Sequence, residues 1–377
     1  MKSNATHNRR LIFQFFALMF LAVLPISMIA ANGIKAFQGI LAGTVGARSN
    51  HDSSQNESEH GMAFRIVAKE GPAVPPAVRV FENTQAGRQD VDPMLKYGVY
   101  DPLGEFDQDI GLKLRHVYVS WASFDVAKLK NSLTRLESNG FEVLLTIEPW
   151  PTKGAAGELL PSILSGEYDS VIDQIATVLS GLQGPVYVSW GHEMDQDLTE
   201  RYPWSGSNPD QFVSAYRYVV DRFRKQVATE LRWIWAGVLK EGSRRYWPGD
   251  DYVDFVGMPI YSFPAWDQKT YGFIRDFKTT FEEKRAVVKD LDHPLIITEL
   301  GVSGSPDFES FWLHQAFMRI RDYPDLAGVV FFYSRDTEGA WGRKIETPDW
   351  RVHPDSIRGL VEWSLGSETR KSEINHE

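Results

Sequence analysis

Two acidic residues stand where chemistry could be done. Glu193 lies in "VYVSWGHEMDQ", one step beyond a strongly apolar run, and Glu299 lies in "PLIITELG", near the end of another. Two carboxyls facing each other across a cleft can cleave a glycosidic bond. The neutral one protonates the leaving oxygen, while the ionised one stabilises or attacks the developing oxocarbenium carbon. An acid after an apolar run is equally compatible with an ordinary polar strand end or a structural ion pair. His192, beside Glu193, could orient a substrate hydroxyl or be a histidine satisfied within the core. The two acids are far apart in the chain, so only a fold that gathers strand ends can join them.

Such a fold is written into the rest of the chain. From about residue 93, short β-rich runs alternate with longer amphipathic ones: "YGVYDP", "HVYVSW", "EVLLTIEP", "VYVSWGHE", "LRWIWAGV", "VDFVGMPIY", "PLIITELG" and "GVVFFYS". Helical periodicity lies between several of them, as in "VAKLKNSLTRLESNG", closing on Gly140, and "NPDQFVSAYRYVVDRFRKQV", opening at Asn208 with Pro209 in the first turn. Near-continuous Val/Ile/Leu runs point to strands buried on both faces and hence parallel. Eight of them predict an α/β chain folded as a (β/α)8 TIM barrel over residues 93–366. A doubly wound sheet is the structural alternative, but no Gly-rich phosphate loop follows the first strand. In a barrel the active site lies at the C-terminal ends of the strands, so the polar and aromatic residues there are the candidates. They are Asp101, Trp121, Glu148, Trp150, Glu193, Tyr261 and Glu299.

Composition narrows the partners. The 377 residues carry a formal charge of −10 with no long basic run, which argues against nucleic acid. No cysteine is present, which removes disulfides, thiolate metal sites and cysteine nucleophiles. Aromatic residues make up 13% of the chain, and their faces suit sugars. Lys2, Arg9 and Arg10 precede an apolar segment over residues 11–31. This pattern predicts export through residues 1–31, either as a cleaved signal peptide or as an anchor attaching the chain to the inner membrane. Residues 32–92 read as a flexible linker and pre-barrel segment, and 367–377 as a polar tail. The chain is expected to act as a monomer on a polysaccharide.

Four ordered segments carry a resemblance. They are "HEMDQDLTERYPWSGSNPDQFVSAYRYVVDRFRKQVATELRWIWAG", "YWPGDDYVDFVGMPIYSF", "PLIITELGVSG" and "DWRVH". Together they resemble glycoside hydrolase family 26, the family of β-mannanases and some related β-glucanases. The resemblance implies a retaining mechanism without metal or other cofactor, with Glu193 as acid/base and Glu299 as nucleophile. It also implies that His192 stands before the acid, that Tyr261 lies near the nucleophile and that Trp204 lines the sugar cleft. Trp150 and Trp121 join Trp204 as expected sugar-stacking residues, and replacing Trp204 is expected to weaken affinity with little change in stability. The chain departs from the family pattern at Asp195, where Asn is usual, and at Pro259, where Asp is frequent. Asp195 either raises the pKa of Glu193 or faces solvent. These expectations describe an exported retaining endo-β-glycanase acting on β-mannan or a β-glucan. The alternatives are a silent polysaccharide-binding or synthesis-associated barrel, and a metal-dependent hydrolase using His192, Glu193 and Asp195.

Overall fold

A computed structural model describes residues 95–152, 158–196, 201–227, 230–341 and 345–374. The expected leader and linker lie outside the described residues. Among the described residues no helix is long and apolar enough to cross a membrane.

Eight parallel strands close into a barrel in sequence order. They are β1 (Lys96–Tyr100), β2 (Leu114–Ser120), β3 (Glu142–Glu148), β4 (Val186–Trp190), β5 (Leu231–Ala236), β6 (Phe255–Ser262), β7 (Leu295–Val302) and β8 (Leu326–Phe332). Each corresponds to one of the eight apolar runs. The helices described between and after them are α1 (Val126–Ser138), α2 (Leu159–Leu164), α3 (Asp169–Leu179), α4 (Pro209–Gln226), α5 (Pro264–Tyr271), α6 (Phe277–Val288), α7 (Pro306–Ile320) and α8 (Pro354–Ile374). The polar stretch expected as a tail from residue 367 is, through Ile374, part of α8.

The helices start where local chemistry favours it. Asn208 accepts from the Asp210 and Gln211 amides, and Pro209 supplies the preset φ of the first turn of α4. Phe212, Ala215, Tyr216, Val219, Val220 and Phe223 recur at helical spacing on its buried face.

Alternation along the strands divides the core in two. Val143, Leu145 and Ile147 of β3 join the layer between strands and helices. Leu114, Leu144, Tyr187, Ile234, Ile296 and Val330 form a separate cluster that fills the barrel itself. At the N-terminal end, Lys96 Nζ bonds Glu142 Oε2 (3.0 Å) and Tyr187 Oη (3.2 Å), closing the floor with a satisfied polar group. Above the apolar plug, His116 Nε2 and Thr146 Oγ1 are 2.8 Å apart. Higher still, Tyr100 packs on Tyr118 (4.9 Å between centroids) and on Phe332 (5.0 Å). The interior thus passes from apolar to polar to aromatic towards the C-terminal face, where the strand-end acids emerge.

Candidate active site

Glu193 sits in a sharp turn immediately after β4. Gly191 has φ 60° and Glu193 itself φ 53°, a left-handed conformation that costs a non-glycine residue roughly 1 kcal/mol or more. The turn is held from several sides. The Glu193 amide donates to Ala236 O (2.8 Å), Trp204 Nε1 donates to His192 O (2.7 Å), and the Gly206 amide donates to Met194 O (3.0 Å). The side-chain amide of Gln196 donates to Glu193 Oε2. Strain persisting at a buried acid under this many restraints is characteristic of a functional position.

Glu299 is aimed by an irregularity in the sheet. Pro259 of β6 has no N–H to offer β7, and the β6–β7 register shifts there, from Met258 opposite Ile297 to Pro259 opposite Glu299. The β7–β8 register also shifts between Ile297 and Leu300. An extra residue in β7 relative to both neighbours re-aims the side chains near the mouth. Pro259, a departure from the family pattern, thus stands opposite the second acid where the register shifts. Tyr261 Oη donates to Glu299 Oε2 at 2.5 Å. That contact depends on Gly301, because a Cβ there would lie 2.4 Å from the Tyr261 ring and 3.0 Å from Trp350.

The two acids are nearly equally buried, Glu193 at 8% exposure and Glu299 at 9%, but their surroundings differ. Burial raises the Glu193 pKa well above the carboxylate range, and the Glu299 charge raises it further, with Asp195 adding in the same direction. Arg201 and Lys284 oppose these effects. Burial raises Glu299 too, but the hydroxyls of Tyr261 and Tyr118 and the Arg201 cation counteract it. Glu193 is therefore the natural holder of a proton and Glu299 the natural anion. Tyr261 remains a neutral donor because burial and the neighbouring Glu299 push its own pKa well up. Burial holds His192 down to about 3, so it presents a neutral imidazole, in edge contact with Tyr202 (4.9 Å) and Tyr118 (5.8 Å).

Two of the expected sugar-stacking residues prove to be buried. Trp204 is 0% exposed, stacked on Tyr202 (4.9 Å) and hydrogen-bonded to the turn that carries Glu193. Trp121 is 3% exposed, stacked on Tyr168 (4.9 Å), with Nε1 donating to Trp150 O (2.8 Å). Neither has a free face for a sugar, because aromatic residues of the loops and helices above the strands cover them. Trp150 alone of the three keeps part of its surface open. Its Nε1 donates to Glu148 Oε2 (3.1 Å), which places it beside a third carboxyl at the mouth.

Asp195 neither faces solvent nor is available to a metal. It is 3% exposed, and its oxygens accept from the Val238 and Leu239 amides (2.9 Å each) and from Ser243 Oγ (2.5 Å). Asp101, another strand-end acid, is likewise spent on the Leu103, Gly104 and Phe106 amides. Among the described residues no group of three or more His, Asp or Glu side chains could hold a metal ion.

Sequence reasoning missed several neighbours. Tyr118 is two residues on from inward-facing His116, and strand alternation would have found it. Its hydroxyl is buried without a well-aligned hydrogen bond among the described residues, on the side of Glu299. Half-buried Trp266 and Trp341 meet edge to face (5.4 Å), with Trp341 also against Tyr261 (5.8 Å). Nothing in the local sequence of Arg201 or Lys284 marks them as neighbours of the acids.

An eight-stranded parallel barrel with one buried acid just after β4 and another within the C-terminal half of β7, three strands apart around the ring, has the arrangement of a two-carboxylate glycosidase. The sequence model of glycosyl hydrolase family 26 matches residues 153–337, which include both acids, Tyr261 and Trp204. The match covers just under half of the chain and supports its placement in that glycoside hydrolase family. It is 22% identical over 267 residues to Endoglucanase H of Acetivibrio thermocellus, covering 67% of this chain and 27% of that protein. It is 29% identical over 107 residues to the β-1,3-xylanase TXYA of a Vibrio species, covering 27% of this chain and 22% of that one. The chain thus spans about a quarter of the length of these relatives. Among solved structures it is similar to a family 26 β-mannanase from Bacteroides ovatus (18% identity, TM-score 0.48, 67% of this chain and 78% of that one). It is also similar to a family 26 protein from a Muricauda species (15%, 0.48, 66% and 76%).

Proposed function

We propose that the protein is an exported, retaining endo-β-glycanase acting on a neutral β-linked polysaccharide, β-mannan first and β-glucan second. The observation that carries the proposal is the unequal environment of two equally buried carboxyls. Glu299 accepts a 2.5 Å hydrogen bond from Tyr261, while Glu193 is driven towards its neutral form by burial and by the Glu299 charge. Glu299 attacks the anomeric carbon as the glycosidic bond breaks, and Glu193 transfers its proton to the leaving oxygen. Glu193, now ionised, takes a proton from a water that attacks the same carbon. This releases Glu299 and returns the site to its starting state, with the anomeric configuration retained after two inversions. His192 and Trp150 border this site as the groups for sugar hydroxyls and an apolar sugar face. The relatives named an endoglucanase and a β-1,3-xylanase support the polysaccharide class and widen the panel to β-1,3-xylan.

The test is to incubate residues from about 60 onward with mannans, mixed-linkage glucan, cellulose and β-1,3-xylan, and to follow the first-formed product by NMR. Short internal-cleavage products carrying the β-anomer are expected. An inverted first product would demote Glu299 to a general base, and inertness towards the whole panel would favour the silent barrel.

A further inference from the structure

We propose that Asp195 is a positioning residue for Glu193, fastening the acid's turn to the loop after β5 and giving Glu193 a fixed negative neighbour that Lys284 counterbalances. The inference rests on the assignment of Glu193 as acid/base. Asp195 is two residues beyond Glu193, with Met194, itself fully buried, between them. Its two oxygens take the Val238 and Leu239 amides at 2.9 Å each and the Ser243 hydroxyl at 2.5 Å. Leu239 has φ 58°, so strained backbone lies on both sides of the fastening, at Glu193 and at Leu239. The backbone link between Glu193 N–H and Ala236 O joins the same two segments (2.8 Å). Lys284 reaches in from α6 and donates to Val238 O, so its amine, whose pKa burial lowers to about 8 against the opposing pull of Asp195 and Glu193, meets the loop that Asp195 holds.

Asp195 and Lys284 therefore grip one loop and act on Glu193 with opposite sign. The other charged or titratable groups facing Glu193 are Glu299 from β7, Tyr261 from β6, and Arg201 and Tyr202 from the loop after β4. These remain in place when Asp195 or Lys284 is replaced. An Asn at 195 can keep one of the two amide bonds but removes the charge. A Gln at 284 can still donate to Val238 O but removes the cation.

The test combines direct titration with kinetics. The Glu193 carboxyl is followed by 13C NMR, assigned by its loss in Glu193→Gln, in the wild type, Asp195→Asn, Lys284→Gln and Ser243→Ala. The pH dependence of kcat/KM is measured on the same proteins. The Glu193 midpoint and the alkaline limb should fall by about half to one pH unit in Asp195→Asn and rise in Lys284→Gln. Ser243→Ala, which loosens the fastening without changing charge, should lower kcat and leave the midpoint in place. Midpoints that do not move, or that move together in the two charge variants, would overturn the proposal. The titration needs no turnover, so a wild type inert to every polysaccharide would defeat the catalytic reading alone. A retaining wild type with an unmoved Glu193 midpoint would defeat this inference alone.

Discussion

At the scale of single residues, the proposed mechanism depends on keeping the Glu193 and Glu299 carboxyls in different protonation states. Replacing either acid by its amide should lower turnover by on the order of 10²-fold or more while the barrel stays folded, checked by kinetics alongside circular dichroism. The pH profile should be bell-shaped. Activity is lost on the alkaline side as the raised Glu193 gives up its proton, and on the acid side as Glu299 gains one. Tyr261→Phe removes a hydrogen bond that favours the Glu299 anion, so the Glu299 pKa should rise. In the proposed mechanism Glu299 attacks as the anion, so the acid limb should move to higher pH. An acid limb that moved down or stayed put would separate Tyr261 from the nucleophile.

At the scale of elements, the loops above the strands matter as much as the strands. Trp204 lies wholly inside, bonded to the carbonyl of His192, so Trp204→Ala should cost about 3–5 kcal/mol in stability rather than substrate affinity alone. Chemical denaturation measures this, and a change within about 0.5 kcal/mol would mean that the residue is not core. Trp150→Ala, at a half-open position, should instead raise KM with a small change in melting temperature. Gly301 in β7 tests the close approach of two strands. Gly301→Ala would drive a Cβ into the Tyr261 ring and should reproduce the acid-limb shift of Tyr261→Phe, together with a loss of kcat.

For the whole molecule, burying two acids that repel each other weighs against folding. Both carboxyls titrate above their ordinary value of 4.5 in the folded protein, so between that value and the folded pKa the folded state holds more protons than the unfolded chain. Their stabilising contribution is present below about pH 4.5 and is lost as the pH rises through the folded pKa values. Glu193→Gln should therefore melt above the wild type at neutral pH, by on the order of 1–3 kcal/mol in stability, and the gap should close towards pH 4. Calorimetry at the two pH values reads this directly. A variant that melts lower at neutral pH would show that the acid's hydrogen bonds outweigh its electrostatic strain.

Local sequence pattern was enough to read eight parallel strands, the helix start at Asn208 and Pro209, and the placement of Glu193 just after the fourth strand, whereas Glu299, read as following the seventh run, lies within β7. Those features follow from steric and hydrophobic rules acting within a few residues, so they are visible along the sequence. The tertiary structure alone decided that Trp121 and Trp204 are covered and that Asp195 turns inward onto the β5 loop. It also decided that Tyr118, Arg201 and Lys284 surround the acids. Depth and electrostatic environment are set by which distant segments come within a few ångströms in a medium of low polarity. No local pattern around a residue records its neighbours from another strand or helix.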